Sequence, residues 1–338
     1  MRMQDREVVV ITGASAGVGR ATVREFAKHK TIICALARDE KRLKETQDEI
    51  EGQGSIARIF PVDVADHEAV MAAADKIVAE FGRIDIWINN AMVSVFSPFH
   101  EMTPEEYRRV TDVTYHGFVY GTMAALKHMR PRNQGTIVQV GSALAYRGIP
   151  LQSAYCGAKH AIQGFTESVR SELYHDNVDI WLTMVQLPAV NTPQFEWTKS
   201  RLPRRSKPVP PIYQPEIAAR AIHWAAHNRR RELNVGITSS VVIFGNKWAP
   251  GLGDHYLAAQ GYGSQQRDEP ADPNAPDNLW KPVPGNYAAH GVFDDIAIKR
   301  SPQVWMNTHR PLVAGLAAGA AVAAYAFLRK ERSRPLWS

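Results

Sequence analysis

Residues 8–29 read VVVITGASAGVGRATVREFAKH, and their order carries the fold. Val8 to Thr12 form a short β-branched run, the pattern of a buried strand. The segment TGASAGVGR (12–20) leaves that strand and enters an amphipathic helix over Val18–His29. Glycines at 13, 17 and 19 remove side chains where the backbone must turn tightly or approach a ligand. The helix behind them presents unpaired N–H groups and a positive dipole end, which suit a pyrophosphate. Glycines in a strand–turn–helix setting predict a dinucleotide cradle formed by Gly13, Ser15, Gly17, Val18 and Gly19.

Working outward, the same alternation continues. Strands are expected at 31–37, 55–64, 84–91, 135–142 and 179–187, with helices at 40–51, 66–82, 103–130 and 152–175. A seventh strand is read at 237–245 (ITSSVVIFG), after a helix over 215–227. Regular β–α alternation implies right-handed crossovers and a parallel sheet. The near-continuous apolar strands fit burial on both faces. The expected fold is therefore α/β: a doubly wound, seven-stranded parallel sheet with helices on both faces.

The domain reading follows composition. Residues 1–250 form the nucleotide-binding domain. Within them, 192–215 holds six prolines and the cluster Arg201, Arg204, Arg205 and Lys207, and reads as a lid. Residues 251–308 are rich in Pro, Gly and Asp, an irregular or disordered arm. Residues 309–338 are an Ala/Gly-rich helix with a basic tail. Its uncharged run 312–328 is 17 residues, about 25 Å as a helix. That length fits a membrane contact, a helix buried in an oligomer, or an exposed tail, and the first is the expectation adopted.

The chain has 338 residues, 45% of them hydrophobic and 22% charged, with a net charge of +6. The basic residues are clustered locally and no nucleic-acid motif accompanies them, so no nucleic-acid partner is expected. Cys34 and Cys156 are too few for a disulfide framework, and no His/Cys cluster suggests a metal. The short N-terminal apolar run is no leader, so a cytoplasmic location is expected.

Two further stretches bear on chemistry. In SAYCGAKHAI (153–162), Tyr155 and Lys159 lie four apart, on one helix face. Such a pair is commonly a surface contact. It also suits acid–base work, because a nearby cation draws a phenol, ordinarily titrating near about 10, toward neutrality. In CALARDE (34–40), Arg38 stands at the end of the second strand, where an arginine accommodates the 2′-phosphate of NADP and an acid would hold the ribose of NAD. Asp39 follows directly. NADP is the expected cofactor, the competing reading being a solvated arginine at a helix start.

TGASAGVG, Asp63-Val64, NNA at 89–91, Ser142 and YCGAK at 155–159 together resemble the short-chain dehydrogenase/reductase family over residues 7–245. The resemblance implies Tyr155 as general acid/base, Lys159 as its modulator and a ribose ligand, and Ser142 as a donor to the substrate oxygen. It places Asp63 and Val64 at the adenine, Asn90 at the adenine-side ribose, and Pro188 and Thr192 at the nicotinamide. Three positions depart from the family pattern. Met92 replaces the glycine of NNAG, Thr114 occupies the place of a catalytic Asn, and Ala189 replaces the glycine after the sixth strand. The implied activity interconverts a secondary alcohol and a ketone, or acts on an aldehyde, by hydride transfer. An apolar substrate is expected from Phe195, Trp197, Leu202, Val209, Ile212 and Tyr213 in the lid, and a homodimer or homotetramer from the family. The alternative is a nucleotide-binding scaffold or redox sensor with little turnover.

Overall fold

A run of five buried residues, Val8–Thr12, forms the central strand β1. From it the chain proceeds through α1 (Gly17–Ala27), β2 (Ile32–Ala37), α2 (Glu40–Gly52), β3 (Ile56–Pro61), α3 (His67–Phe81) and β4 (Ile86–Asn89). Then come α4 (Pro104–Thr111), a π-helical turn (Asp112–His116), α5 (Gly117–Met129), β5 (Gly135–Ser142), α6 (Ser153–His175) and β6 (Ile180–Leu187). The last elements are α7 (Pro215–His227), β7 (Glu232–Asn234), α8 (Ile237–Trp248), α9 (Pro250–Gln260), α10 (Pro302–Thr308) and α11 (Arg310–Arg332). The computed structural model describes residues 2–332.

The strands pair in the order β7-β6-β5-β4-β1-β2-β3, all parallel. This is the doubly wound sheet expected. β1 sits between β2 and β4, so the chain order reverses between β1 and β4 and opens a crevice at their carboxyl ends. Helix starts follow sequence chemistry. Asp39 caps α2 by accepting from Arg42 N, Asp66 caps α3, and Thr103 with Glu106 forms a capping box on α4. Helix α1 has no side-chain cap.

The expected strand at 237–245 is instead helix α8. Gly236, at φ +79°, turns the chain immediately after the buried Val235. Burial then recurs four residues apart, at Ser239 and Ile243, while Ile237, Val241 and Phe244 stay exposed. The seventh strand is the shorter β7, paired with Met184–Gln186. Its three residues carry too little pattern to be read from sequence, whereas the β-branched content of 237–245 mimics a strand.

Between residues 192 and 215 the chain forms a one-turn helix, Gln194–Trp197, and two short strand segments. Lys199–Ser200 pairs with Val95–Phe96, and Arg204–Ser206 with Gln266–Pro270. Three of the four residues of the basic cluster are matched by acids: Arg201 with Glu106, Arg204 with Asp268, Arg205 with Glu196. Beyond α9 the chain to Arg300 has little regular structure, yet it buries Leu279, Val283, Ala289, Phe293 and Ala297.

Residues up to Arg300 form one compact unit and those from Ser301 a second. In the second, Leu312, Leu316, Val322 and Tyr325 of α11 are exposed. Among the described residues no helix is long and apolar enough to cross a membrane. The membrane contact expected of 312–328 therefore gains no support. Alanine and glycine dominate the run, and neither contributes much insertion energy.

Candidate active site

The crevice at the β1–β4 reversal opens into a cavity of about 640 Å³, within the range of small-molecule sites. Gly13 and Gly17 of the loop after β1 adopt φ of +66° and +56°. A Cβ on Gly13 would stand 2.8 Å from Ala91 Cα, and one on Gly19 would stand 2.1 Å from Gly13 O. These glycines let the loop fold onto its own helix and against the end of β4. Asn90 fastens the same junction: its Nδ2 donates to Thr12 O at 3.0 Å, and its backbone N–H donates to Thr12 Oγ1 at 2.9 Å.

Gly13, Ser15, Gly17 and Val18 line the cavity beside the uncapped start of α1. Gly19 does not line it; its part is the close packing just described. Asn90, Pro188 and Thr192 line the middle, together with Met92 and Ala189. The cavity's donors fit an extended dinucleotide: a helix start with no side-chain cap at the loop, where Gly17 N–H donates to Ala288 O at 2.9 Å, an arginine at one end, and a hydroxyl–phenol–amine set at the other.

At the first end, Arg38, Asp63 and Val64 line the wall. Asp63 is ion-paired with Arg109, a residue that sequence reading did not single out. Arg38 is held by the arm. Its Nη2 donates to Asn278 O at 2.6 Å, and its Nη1 donates to Leu279 O and Trp280 O at 3.3 and 3.2 Å. Arg109 Nε donates to the same Leu279 oxygen. Nothing in a Pro/Gly-rich arm more than two hundred residues downstream signals this contact in sequence.

At the other end lie Ser142, Tyr155 and Lys159. Ser142 ends β5, and its Oγ accepts from Leu144 N at 3.1 Å. Tyr155 and Lys159 are one turn apart on α6. Lys159 is 2% exposed; its Nζ donates to Val140 O at 2.8 Å and lies 5.6 Å from the centre of the Tyr155 ring. Burial pushes the Tyr155 phenol above its ordinary range, and a hydrogen bond with Ser142 opposes this only in part. Burial also lowers Lys159, to about 7. Desolvation works against the expected acidification of Tyr155 by Lys159, because it weakens the lysine's own charge and penalises the phenolate.

Thr114 stands apart. It is fully buried in the π-helical turn, outside the cavity lining. Its Oγ1 donates to Val93 O at 2.8 Å and accepts from Val93 N at 3.1 Å, so it pins the segment after β4. Helices α8 and α9 contribute Val242 and Leu257 to the cavity wall, a role hidden from sequence by the strand-like reading of α8. From the lid, Phe195, Trp197 and Val209 line the cavity, while Leu202, Ile212 and Tyr213 are buried outside its lining.

Comparison with known proteins agrees with this geometry. The short chain dehydrogenase family profile matches residues 7–201. The chain is 34% identical over 330 residues to the uncharacterized oxidoreductase YxnA of Bacillus subtilis strain 168, covering 93% of this chain and 90% of that one. It is 29% identical over 222 residues to a 3-dehydrosphinganine reductase of Danio rerio, covering 63% and 66% respectively. A short-chain dehydrogenase structure from Streptomyces avermitilis shares the fold, with a TM-score of 0.64 and 24% identity, over 76% of this chain and 98% of that one. The reversal-point cavity, the serine–tyrosine–lysine set and these matches converge: the chain belongs to the short-chain dehydrogenase/reductase family, a family of NAD(P)-dependent oxidoreductases.

Proposed function

We propose that the protein reduces a ketone or aldehyde, or oxidises the corresponding alcohol, with NADP(H), and that Tyr155 carries the proton. The observation that carries this reading is the convergence of Ser142, Tyr155 and Lys159 on one end of a cavity whose other end is walled by Arg38. The nicotinamide supplies or accepts the hydride. The protein's own residues do the rest. Ser142 directs its hydroxyl proton at the substrate oxygen, where charge grows as hydride adds. Tyr155, kept neutral by burial, donates its proton to that oxygen; in the oxidative direction its phenolate accepts one. Lys159 is anchored on Val140 O, beside the tyrosine ring. Thr114 acts on position alone, by fixing Val93.

The preference for NADP rests on Arg38. Asp39, the acid beside it, is committed to Arg42: Oδ1 accepts from Arg42 N and Oδ2 pairs with Arg42 Nη2. It is therefore turned from the ribose hydroxyl that an NAD-selective acid would hold. The substrate end is walled by Phe96, Leu144, Ile149, Phe195, Val242 and Leu257, which suits an apolar carbonyl compound. The Danio rerio relative, a reductase of 3-dehydrosphinganine by name, supports carbonyl reduction on an apolar substrate.

The test uses the purified chain with NADPH and a graded panel of apolar ketones and aldehydes. Oxidation of NADPH that falls about a hundredfold or more in Tyr155→Phe, with NADPH binding retained, is the expected result. Tight NADPH binding with no turnover above that of the phenylalanine variant would establish a nucleotide-binding scaffold instead.

A further inference from the structure

Arg42 is unexplained by the chemistry above. It sits in the first turn of α2, lines the cavity with Arg38 and Asp39, and is only 5% exposed. Its Nη2 is paired with Asp39 Oδ2 at 2.7 Å. Its Nε and Nη1 are shielded from solvent and meet no acceptor. Two aromatic rings cover the guanidinium, Trp197 from the lid and Tyr287 from the arm, with centroids 5.0 and 5.8 Å from Cζ. Buried donors are nearly always satisfied, and an unmade bond from a charged group is expensive. Such an arrangement calls for an acceptor that the protein itself does not supply.

Arg38, four residues earlier, has the opposite balance. Three of its N–H bonds end on the carbonyls of Asn278, Leu279 and Trp280. A guanidinium has five N–H donors, so two remain. A phosphate monoester brings three oxygens and close to two negative charges, more than those two donors satisfy. The unpartnered donors of the neighbouring arginine supply the difference.

We propose that Arg42 is a second guanidinium ligand for the 2′-phosphate of the dinucleotide, enclosed by Trp197 and Tyr287, so that this pocket selects the phosphate ester over the free ribose hydroxyl. This rests on the NADP reading above. The planar fork of arginine engages phosphate oxygens in pairs, which a lysine ammonium does not. The aromatic cover keeps water from competing, and a charge-assisted bond is stronger where water is excluded.

Calorimetric titration of the full chain with adenosine 2′,5′-bisphosphate and with AMP tests the assignment without turnover. Wild type binds the bisphosphate more tightly. Arg42→Gln lowers bisphosphate affinity about tenfold or more and leaves AMP binding unchanged. Arg42→Lys keeps the charge for folding but lacks the fork, and it also lowers the ratio of the two affinities. An unchanged ratio in both variants, or an equal loss for both ligands, overturns the role of Arg42 and leaves the NADP reading intact. A wild type that binds both ligands equally overturns the NADP reading itself.

Discussion

Arg38 and Asn278 are 240 residues apart in sequence and 2.6 Å apart in space, the Arg38 Nη2 donating to the Asn278 main-chain oxygen. The arm that follows α9 is therefore part of the nucleotide pocket wall. Arg38→Met removes the three bonds that hold residues 278–280 and, on the NADP reading proposed above, a donor to the 2′-phosphate. We expect the KM for NADPH to rise about tenfold or more, that for NADH to change little, and trypsin to cut the arm faster. Equal KM changes for the two cofactors would remove the phosphate argument. Unchanged proteolysis would remove the clamp.

Lys159 gives a pH signature. Burial lowers it from the ordinary 10.5 to about 7. Between these values the unfolded chain holds a proton that the native chain does not, so stability rises with pH across that window. Denaturant melts of wild type and Lys159→Met should show wild type at its greatest relative disadvantage at and below pH 7, gaining on the variant toward pH 10.5. Parallel curves would mean that the ammonium is well solvated, contrary to its burial. The pH profile of kcat/KM should bend near 7 in wild type and lose that bend in the variant.

Gly19 makes a steric prediction. A Cβ there would stand 2.1 Å from Gly13 O and 2.7 Å from Asn90 Nδ2, and the first of these is backbone. Gly19→Ala must move the loop away from the end of β4. Overpacking of this kind costs about 1–3 kcal/mol, a drop of several degrees in Tm, and dinucleotide affinity should fall with it. Gly52→Ala is the control, since its Cβ would meet nothing within 4 Å at the end of α2. Similar behaviour of the two variants in thermal melts would show that the tight loop-to-strand contact is absent.

What the sequence revealed and what it hid follow from range. The glycine loop, β1 and the Tyr155–Lys159 spacing are local patterns, and all three stand where the pattern places them. The strand-to-helix error at 237–245 came from β-branched residues whose propensity yields to the turn at Gly236. Arg42 looks like an ordinary charge in the first turn of a helix until Trp197 and Tyr287 arrive from distant segments. The Lys159–Tyr155 spacing is legible, but its electrostatics are not, because the desolvation that the cleft imposes on both groups is a tertiary property.

Glu106 ties the lid to the start of α4. It is 4% exposed, and its Oε1 accepts from Arg201 Nη2 at 2.8 Å and pairs with Lys199 Nζ at 3.0 Å, while Oε2 accepts from Thr103 N. Burial alone would raise its pKa, but the bonds from Arg201, Thr103 and Lys199 outweigh burial and hold it at about 2, below the ordinary 4.5. Its stabilising contribution is complete above pH 4.5 and is lost as the pH falls from there toward 2. Glu106→Gln should cost about 1–3 kcal/mol at neutral pH, seen as a Tm lowered by a few degrees. The Tm difference from wild type should close as the pH falls below 4.5. A gap that stays constant through that range would show that the carboxylate carries no charge-dependent share of the lid's anchorage. Because Lys199 and Arg201 directly follow Phe195, Trp197 and Thr198, which line the cavity, the same variant should, on the activity proposed above, raise the KM for the carbonyl substrate more than it lowers kcat.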